Sequence, residues 1–123
     1  MGQLEGKVAL LSGGASDIGQ ATALRLASEG AAVAIGDVSL DGATSVAEEV
    51  TEAGGEAVSV VCDVRRDDSV AEFVRTAVEA FGGVDCIDHN AAWSHPRLDS
   101  DATGVELGVW DRTIEIKIGR AHV

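Results

Sequence analysis

The sequence predicts an α/β fold in which parallel strands alternate with helices. Three observations support this prediction: short apolar runs of strand length, segments between them with apolar residues at helical spacing, and glycines at the junctions. Strict alternation of strands and helices requires crossover connections, which place the strands parallel to one another. We therefore expect one parallel sheet of about four strands.

The predicted elements follow one another without a linker. Strands are expected at residues 7–12, 32–37, 56–61 and 84–89, and the first helix at 18–29. The second helix runs from an N-cap at Ser39 to a glycine pair at 54–55, and the third from Asp67 to a glycine pair at 82–83. A loop at 93–108 and a further helix from Val109 are expected after the fourth strand.

Each predicted helix has an apolar face that we expect to be buried. The residues assigned to these faces are Ile18, Ala21, Leu24 and Ala27 in the first helix, Leu40, Ala43, Val46, Ala47 and Val50 in the second, and Val70, Phe73, Val74, Ala77, Val78 and Phe81 in the third.

The most informative segment is the turn between the first strand and the first helix, which reads Ser12-Gly13-Gly14-Ala15-Ser16-Asp17-Ile18-Gly19. A glycine-rich turn that opens into a helix points several backbone N–H groups at one place, where a diphosphate fits. Asp37 follows about 20 residues later, at the end of the second strand, where a carboxylate can bind a ribose. Together these features predict a dinucleotide-binding unit of a Rossmann-type, doubly wound parallel sheet, truncated after about four strands in the order 3-2-1-4. The alternative is a tight loop with a solvated aspartate.

Composition and charge exclude several classes of protein. The chain has 123 residues, enough for one domain, and its net charge of −12 argues against nucleic acid or an anionic membrane as a partner. No apolar run approaches the ~20 residues that span a bilayer, so we expect a cytoplasmic protein. Cys62 follows the third predicted strand and Cys86 lies near the start of the fourth. These strands are not neighbours in the predicted order, so no disulfide is expected. The cysteines and histidines lack metal-ligand spacing, so no metal site is expected.

Three motifs in order resemble those of one family. From residue 7 to 116 the chain resembles the N-terminal half of the short-chain dehydrogenase/reductase family, NAD(P)-dependent oxidoreductases with a single Rossmann-type domain. The family's Thr-Gly-x-x-x-Gly-x-Gly corresponds to residues 12–19, its Asp-Val after the third strand to Asp63-Val64, and its Asn-Asn-Ala-Gly to His89-Asn90-Ala91-Ala92.

The resemblance implies a set of cofactor-binding residues. It assigns the diphosphate to Gly13, Ser16, Ile18 and Gly19, the adenosine ribose to Asp37, the adenine to Asp63 and Val64, and the border of the nicotinamide ribose to Asn90, Ala91 and Ala92. An acid at the position of Asp37 indicates NAD rather than NADP, because a carboxylate binds both ribose hydroxyls and repels a 2′-phosphate. His89, in place of the family's asparagine, is expected to be structural rather than catalytic.

Asp17 stands where the family has a glycine, close to the expected position of the phosphates. Its carboxylate would either repel the diphosphate or cap the first helix and face away from the ligand. We expect capping, with affinity for the cofactor weakened rather than abolished.

The family's catalytic residues are not found in this sequence. The reaction implied by the resemblance uses a Tyr-x-x-x-Lys pair, a serine and an asparagine, whereas the sequence contains no tyrosine and Lys117 stands at the expected asparagine. Residues 118–123 are similar to one reading frame of a sequencing adapter. We therefore expect residues 1–117 to be the N-terminal part of a single domain and residues 118–123 to be a non-native tail.

Two functions remain open after these observations. The first is that of an enzyme whose full-length, homo-oligomeric parent exchanges a hydride between NAD and a secondary alcohol or ketone, with this chain inactive alone. The second is a non-catalytic, regulatory dinucleotide-binding module. In either case we expect the fourth strand to present an unpaired edge and exposed apolar surface.

Overall fold

The computed structural model describes residues 2–91, which contain four strands and three helices. In chain order these are β1 (Val8–Ser12), α1 (Asp17–Ser28), β2 (Ala32–Asp37), α2 (Leu40–Glu52), β3 (Glu56–Val61), α3 (Asp67–Phe81) and β4 (Cys86–His89). The strands form one parallel sheet in the order β3-β2-β1-β4. This confirms the predicted Rossmann-type α/β class and strand order. The predicted loop at 93–108, the helix from Val109, and the assignments to Ala92, Lys117 and the tail 118–123 lie outside the described residues.

The side chains of the central strands alternate between two faces, and each face has its own core. Leu11, Val33 and Ile35 pack against α1 and α2 in one cluster of buried residues. Leu10 and Ala34 face the opposite side and pack against α3 in a second cluster. Because both faces of the sheet are covered, β1 and β2 are held rigidly, and so are the loops at their carboxyl ends.

The apolar faces of the helices were predicted only in part. Ile18 is 71% exposed, Leu40 is 45% exposed and Ala21 is exposed, so these three predictions of burial were wrong. Ile18 and Leu40 belong to the first turn of a helix, which lies at the carboxyl edge of the sheet and beyond the described core. In α1 the buried residues are Gly19 and Ala23, so the face that packs on the sheet is not the one that contains Ala21. In α3, Phe73 and Ala77 are buried as predicted, whereas Val78 is 44% exposed.

β1 and β4 each begin later than predicted. β1 begins at Val8 rather than at residue 7, and β4 begins at Cys86 rather than at 84. The Asp85 carboxylate accepts a hydrogen bond from the Val8 backbone N–H at 2.8 Å. A side chain therefore takes the place of a strand carbonyl at this point, and the ladder between the two strands starts one residue later.

β4 forms the outer edge beside β1 within the described part of the chain. All four of its residues are exposed, and Ile87 is 67% exposed. This agrees with the apolar edge expected from the sequence. No helix between residues 2 and 91 is both long enough and apolar enough to cross a membrane.

The two cysteines differ in environment, which gives a direct test of the fold. Both are free; Cys62 is buried beyond the end of β3, and Cys86 is exposed on β4. Burial raises the pKa of the Cys62 thiol to about 11, which keeps it protonated and unreactive. With iodoacetamide at mildly alkaline pH, we expect mass spectrometry to find one label, on Cys86, in the native chain and two labels in denaturant. Equal labelling rates for both thiols in the native chain would contradict this fold.

Candidate functional site

The predicted site residues lie together at the carboxyl ends of the parallel strands. These residues are the turn after β1, Asp37 at the end of β2, Asp63 after β3 and Asn90 after β4. The chain continues from β1 to β2 on one side of the sheet and reaches β4 on the other, so the order reverses at β1. Such a reversal opens a crevice at the carboxyl ends of the strands, where ligands bind in folds of this kind.

Two glycines allow the turn to pack closely against its neighbours. Gly13 has a φ of +70°, and a Cβ built on it would lie 2.7 Å from the Cα of Ala91. A Cβ on Gly19 would lie 2.4 Å from the Gly13 carbonyl oxygen and 2.7 Å from the Cα of Gly14. Since these contacts are with backbone atoms, both positions require glycine for the observed turn.

Ser16 is the N-cap of α1. Its Oγ accepts a hydrogen bond from the Gly19 N–H at 3.0 Å and donates one to the Gly13 carbonyl oxygen at 3.0 Å. The expectation that Asp17 caps this helix was wrong, because Ser16 holds the position from which a side chain reaches the first amides. Asp17 is instead the first helical residue and is exposed.

Asn90 braces the same turn from the other side. Its side-chain Nδ2 donates to the Gly13 carbonyl oxygen and to the Ser16 Oγ, both at 3.0 Å. Its backbone N–H donates to the Ser12 carbonyl oxygen at 3.2 Å. The sequence indicated Asn90 only as a border of the nicotinamide ribose and gave no signal for this bracing contact.

The first two amides of α1 are left for a ligand. Four amides around them donate within the protein: Gly14 to the Gly36 carbonyl oxygen at 3.1 Å, Ala15 to Asp37 Oδ2 at 3.0 Å, Ser16 to the Gly13 carbonyl oxygen at 3.4 Å, and Gly19 to Ser16 Oγ at 3.0 Å. Among the hydrogen bonds of residues 2–91, none uses the N–H of Asp17 or Ile18. Both residues are exposed, and the first amides of a helix have no partner within it. With the helix dipole behind them, these two N–H groups can donate hydrogen bonds to an anion such as a phosphate group.

Asp37 connects the end of β2 to both adjacent turns. Its Oδ2 accepts from the Ala15 N–H at 3.0 Å, and its Oδ1 accepts from the Ser39 N–H at 2.9 Å. Each carboxylate oxygen has two lone pairs, so each can accept a further hydrogen bond from a hydroxyl group. The carboxylate is therefore fixed beside the glycine-rich turn, where it can accept hydrogen bonds from the hydroxyl groups of a ligand.

Asp63 lies beside Asp37 at the same edge. The Cys62 N–H donates to the Asp37 carbonyl oxygen at 2.9 Å, which holds the ends of β2 and β3 together. The Asp63 carboxylate forms a bidentate pair with Arg65, and the hydrogen bond from that guanidinium lowers the pKa of the carboxyl group. Val64 is 8% exposed, and its side chain packs in the core. It can therefore serve a ligand mainly through its backbone.

The residue before Asn90 is also held by β1. His89 Nδ1 lies 3.2 Å from the Oγ of Ser12, which is 5% exposed. This contact ties the exposed His89 side chain to β1, and its structural rather than catalytic role stays a prediction. In the described range 2–91, no group of three or more His, Cys, Asp or Glu side chains is placed to hold a metal ion.

Comparison with known proteins gives consistent matches over most of the chain. The family model described as enoyl-(acyl carrier protein) reductase matches residues 13–121. The 2,5-dichloro-2,5-cyclohexadiene-1,4-diol dehydrogenase of Sphingobium indicum is 45% identical over 94 residues, which are 76% of this chain and 38% of that protein.

Solved structures agree with these matches. A mutant of a Serratia marcescens short-chain dehydrogenase/reductase is 38% identical with a TM-score of 0.80, over 92% of this chain and 45% of that one. The 3-ketoacyl-(acyl-carrier-protein) reductase from Brucella melitensis, complexed with NADH, is 37% identical with a TM-score of 0.82, over 93% of this chain and 45% of that one. The chain thus spans less than half the length of the proteins that it matches here.

Proposed function

This chain belongs to the short-chain dehydrogenase/reductase family of oxidoreductases, and from that premise we propose that residues 13–92 bind NAD. The observation that carries the proposal is the pair of N–H groups of Asp17 and Ile18, which have no partner among residues 2–91, next to the fixed Asp37 carboxylate. A diphosphate on the two amides places the attached ribose toward the carboxylate. Each group of the cofactor then meets a protein group of matching chemistry.

The predicted residues divide into those that contact the cofactor and those that shape its site. We assign the diphosphate to the amides of Asp17 and Ile18, and the adenosine ribose to Asp37. Gly13, Ser16 and Gly19 hold the turn in the shape that presents these amides. Asp63 and Val64 serve the adenine, and Asn90, Ala91 and Ala92 border the nicotinamide ribose.

The choice of NAD over NADP rests on Asp37. Its negative charge disfavours a second charge on the neighbouring ribose hydroxyl, where NADP carries its 2′-phosphate. Arg65, the first basic residue after Asp37, is paired with Asp63. The site therefore favours the coenzyme without the additional phosphate.

We propose that the whole parent protein oxidises a secondary alcohol or reduces a ketone. When bound, the nicotinamide supplies or accepts the hydride. The 123 residues contain no tyrosine, so this chain does not supply the tyrosine acid/base of the family's reaction. We place the parent in the cytoplasm as a homo-oligomer. The net charge of −12 on the 123-residue chain supports a small-molecule substrate over nucleic acid or an anionic membrane.

A titration of the 123-residue chain with NADH and NADPH tests the proposal. By calorimetry we expect binding of NADH, weaker binding of NADPH, and no turnover of secondary alcohols by the chain alone. The proposal fails if neither coenzyme binds to a folded chain. Turnover by the chain alone would contradict the proposal that this chain binds the cofactor while the rest of the parent supplies the catalytic residues.

The absence of tyrosine also favours a second candidate, a regulatory module that binds the dinucleotide without catalysis. The coding sequence of the parent gene distinguishes the two. A Tyr-x-x-x-Lys motif downstream would indicate the enzyme, and the absence of this motif would indicate the regulatory module.

Asp17 gives a further prediction, because its carboxylate lies in the helix turn that offers amides to the diphosphate. We expect Asp17→Asn to tighten NADH binding by about 1.4- to five-fold, since an exposed charge interaction contributes about 0.2–1 kcal/mol. The gain should shrink as salt is added. Asp41→Asn, in the first turn of α2, is the matched control. Equal or weaker binding by Asp17→Asn would show that the carboxylate does not repel the ligand.

A further inference from the structure

Asp63 and Arg65 form a bidentate ion pair, the fork, at the adenosine end of the proposed site. Arg65 Nε donates to Asp63 Oδ1 at 3.0 Å, and Arg65 Nη2 donates to Asp63 Oδ2 at 2.9 Å. The backbone N–H of Arg65 also donates to Oδ1 at 3.0 Å. Bidentate arginine–carboxylate pairs fix the plane of the carboxylate as well as its position.

The two oxygens of the Asp63 carboxylate accept different numbers of hydrogen bonds from Arg65. Asp63 Oδ1 accepts two hydrogen bonds, from the backbone and the Nε of Arg65, which uses both of its lone pairs. Asp63 Oδ2 accepts the bond from Nη2 and keeps a second lone pair for an external N–H donor. The geometry thus selects one oxygen for a ligand.

The position of Asp63 indicates which donor it would meet. The Cys62 N–H binds the Asp37 carbonyl oxygen, so Asp63 lies one residue from the strand end that carries the proposed ribose ligand. Its neighbours Cys62 and Val64 are 4% and 8% exposed, whereas the Asp63 side chain is 22% exposed. Asp63 is therefore the polar side chain that this segment presents to a base attached to that ribose.

We propose that Arg65 is a positioning residue that orients Asp63 Oδ2 to accept a hydrogen bond from the exocyclic amino group of adenine. This inference rests on the proposed function, since it presumes that the dinucleotide binds at this edge. It predicts discrimination between adenine, whose amino group donates, and hypoxanthine, whose carbonyl oxygen at the same place cannot.

The chain contains a matched control pair. Arg66 and Asp68 form a bidentate pair at 3.2 and 2.9 Å with the same two-residue separation. The side chains of this pair are 66% and 72% exposed, and it lies at the start of α3. An exposed pair of this kind contributes little to rigidity or stability.

The test compares NADH with reduced nicotinamide hypoxanthine dinucleotide, each titrated into the 123-residue chain by calorimetry. Wild type is expected to prefer NADH by about ten-fold or more, as for a hydrogen bond to a charged group. Arg65→Ala is expected to lose most of this preference by weakening NADH alone, and Arg66→Ala is expected to keep it. Arg65→Lys retains the charge without the bidentate geometry and is expected to lose the preference for NADH as well. This variant replaces Arg65→Ala in the test if Arg65→Ala does not fold.

Each other outcome has a distinct meaning. If Arg65→Ala weakens both dinucleotides equally, Arg65 has a structural role and the inference is wrong. If wild type binds both dinucleotides equally well, Asp63 does not accept a hydrogen bond from the adenine amino group. The inference then fails, while the proposed binding of NAD stands. If wild type binds neither dinucleotide, the proposed function fails and the inference fails with it.

Discussion

Replacing Asp37 by alanine is expected to weaken NADH binding by about 10- to 100-fold and to reduce the preference for NADH over NADPH. A hydrogen bond to a charged group contributes about 1.5–3 kcal/mol, and every 1.4 kcal/mol is about ten-fold in affinity. The variant loses the proposed ribose ligand and also the bonds that fix Ala15 and Ser39 beside it. The repulsion of a 2′-phosphate disappears at the same time. Competition titrations with the two coenzymes measure both effects.

Asp41→Ala serves as the control for this experiment, because it also removes one negative charge, in the first turn of α2. It is expected to leave the ratio of NADH to NADPH affinities unchanged. An unchanged ratio in the Asp37 variant would show instead that this carboxylate does not contact the adenosine ribose.

Gly19→Ala is expected to abolish measurable NADH binding and to destabilise the chain by about 1–3 kcal/mol, the usual cost of overpacking. An alanine in a helix interior normally gains about 1 kcal/mol over glycine. Here the new Cβ would lie 2.4 Å from the Gly13 carbonyl oxygen, a backbone atom that cannot rotate away. The turn must therefore open, and the amides of Asp17 and Ile18 lose their placement.

Urea unfolding and calorimetry separate the two effects of Gly19→Ala. Gly83→Ala is the matched control, since a Cβ there meets nothing within 4 Å. That control is expected to retain both stability and binding. Wild-type affinity in the Gly19 variant would mean that the shape of the turn does not determine cofactor binding.

Much of the fold was predictable because its determinants are local. Alternating apolar runs and helical periodicity predicted the parallel α/β class, and β2 and β3 have the predicted bounds. The strand order followed from the dinucleotide-binding pattern of the first turn and Asp37. The places of the turn and of Asp37 were predictable because both directly follow apolar runs of strand length. The helix faces were less predictable, since periodicity does not show where the sheet ends. For that reason Ile18 and Leu40 were wrongly assigned to the core.

The hydrogen bonds that complete the site were not predictable from local sequence. Ser16 and Asp17 are both good capping residues in adjacent positions, and only the backbone geometry decides for Ser16. Asn90 reaches the turn across 74 residues of chain, a contact created by the pairing of β1 and β4. Arg65 stands in a charged segment that is equally typical of a solvated surface.

The central claim is that the first amides of α1 bind the diphosphate of a nicotinamide dinucleotide. Amide-resolved NMR of the ¹⁵N-labelled chain during a titration with NADH tests this claim directly. We predict the largest shifts at the N–H groups of Asp17 and Ile18, with smaller shifts near Asp37. Shifts confined to the opposite edge of the sheet, around the cavity lined by Glu5 and Lys7, or no shifts in a folded chain, would contradict it.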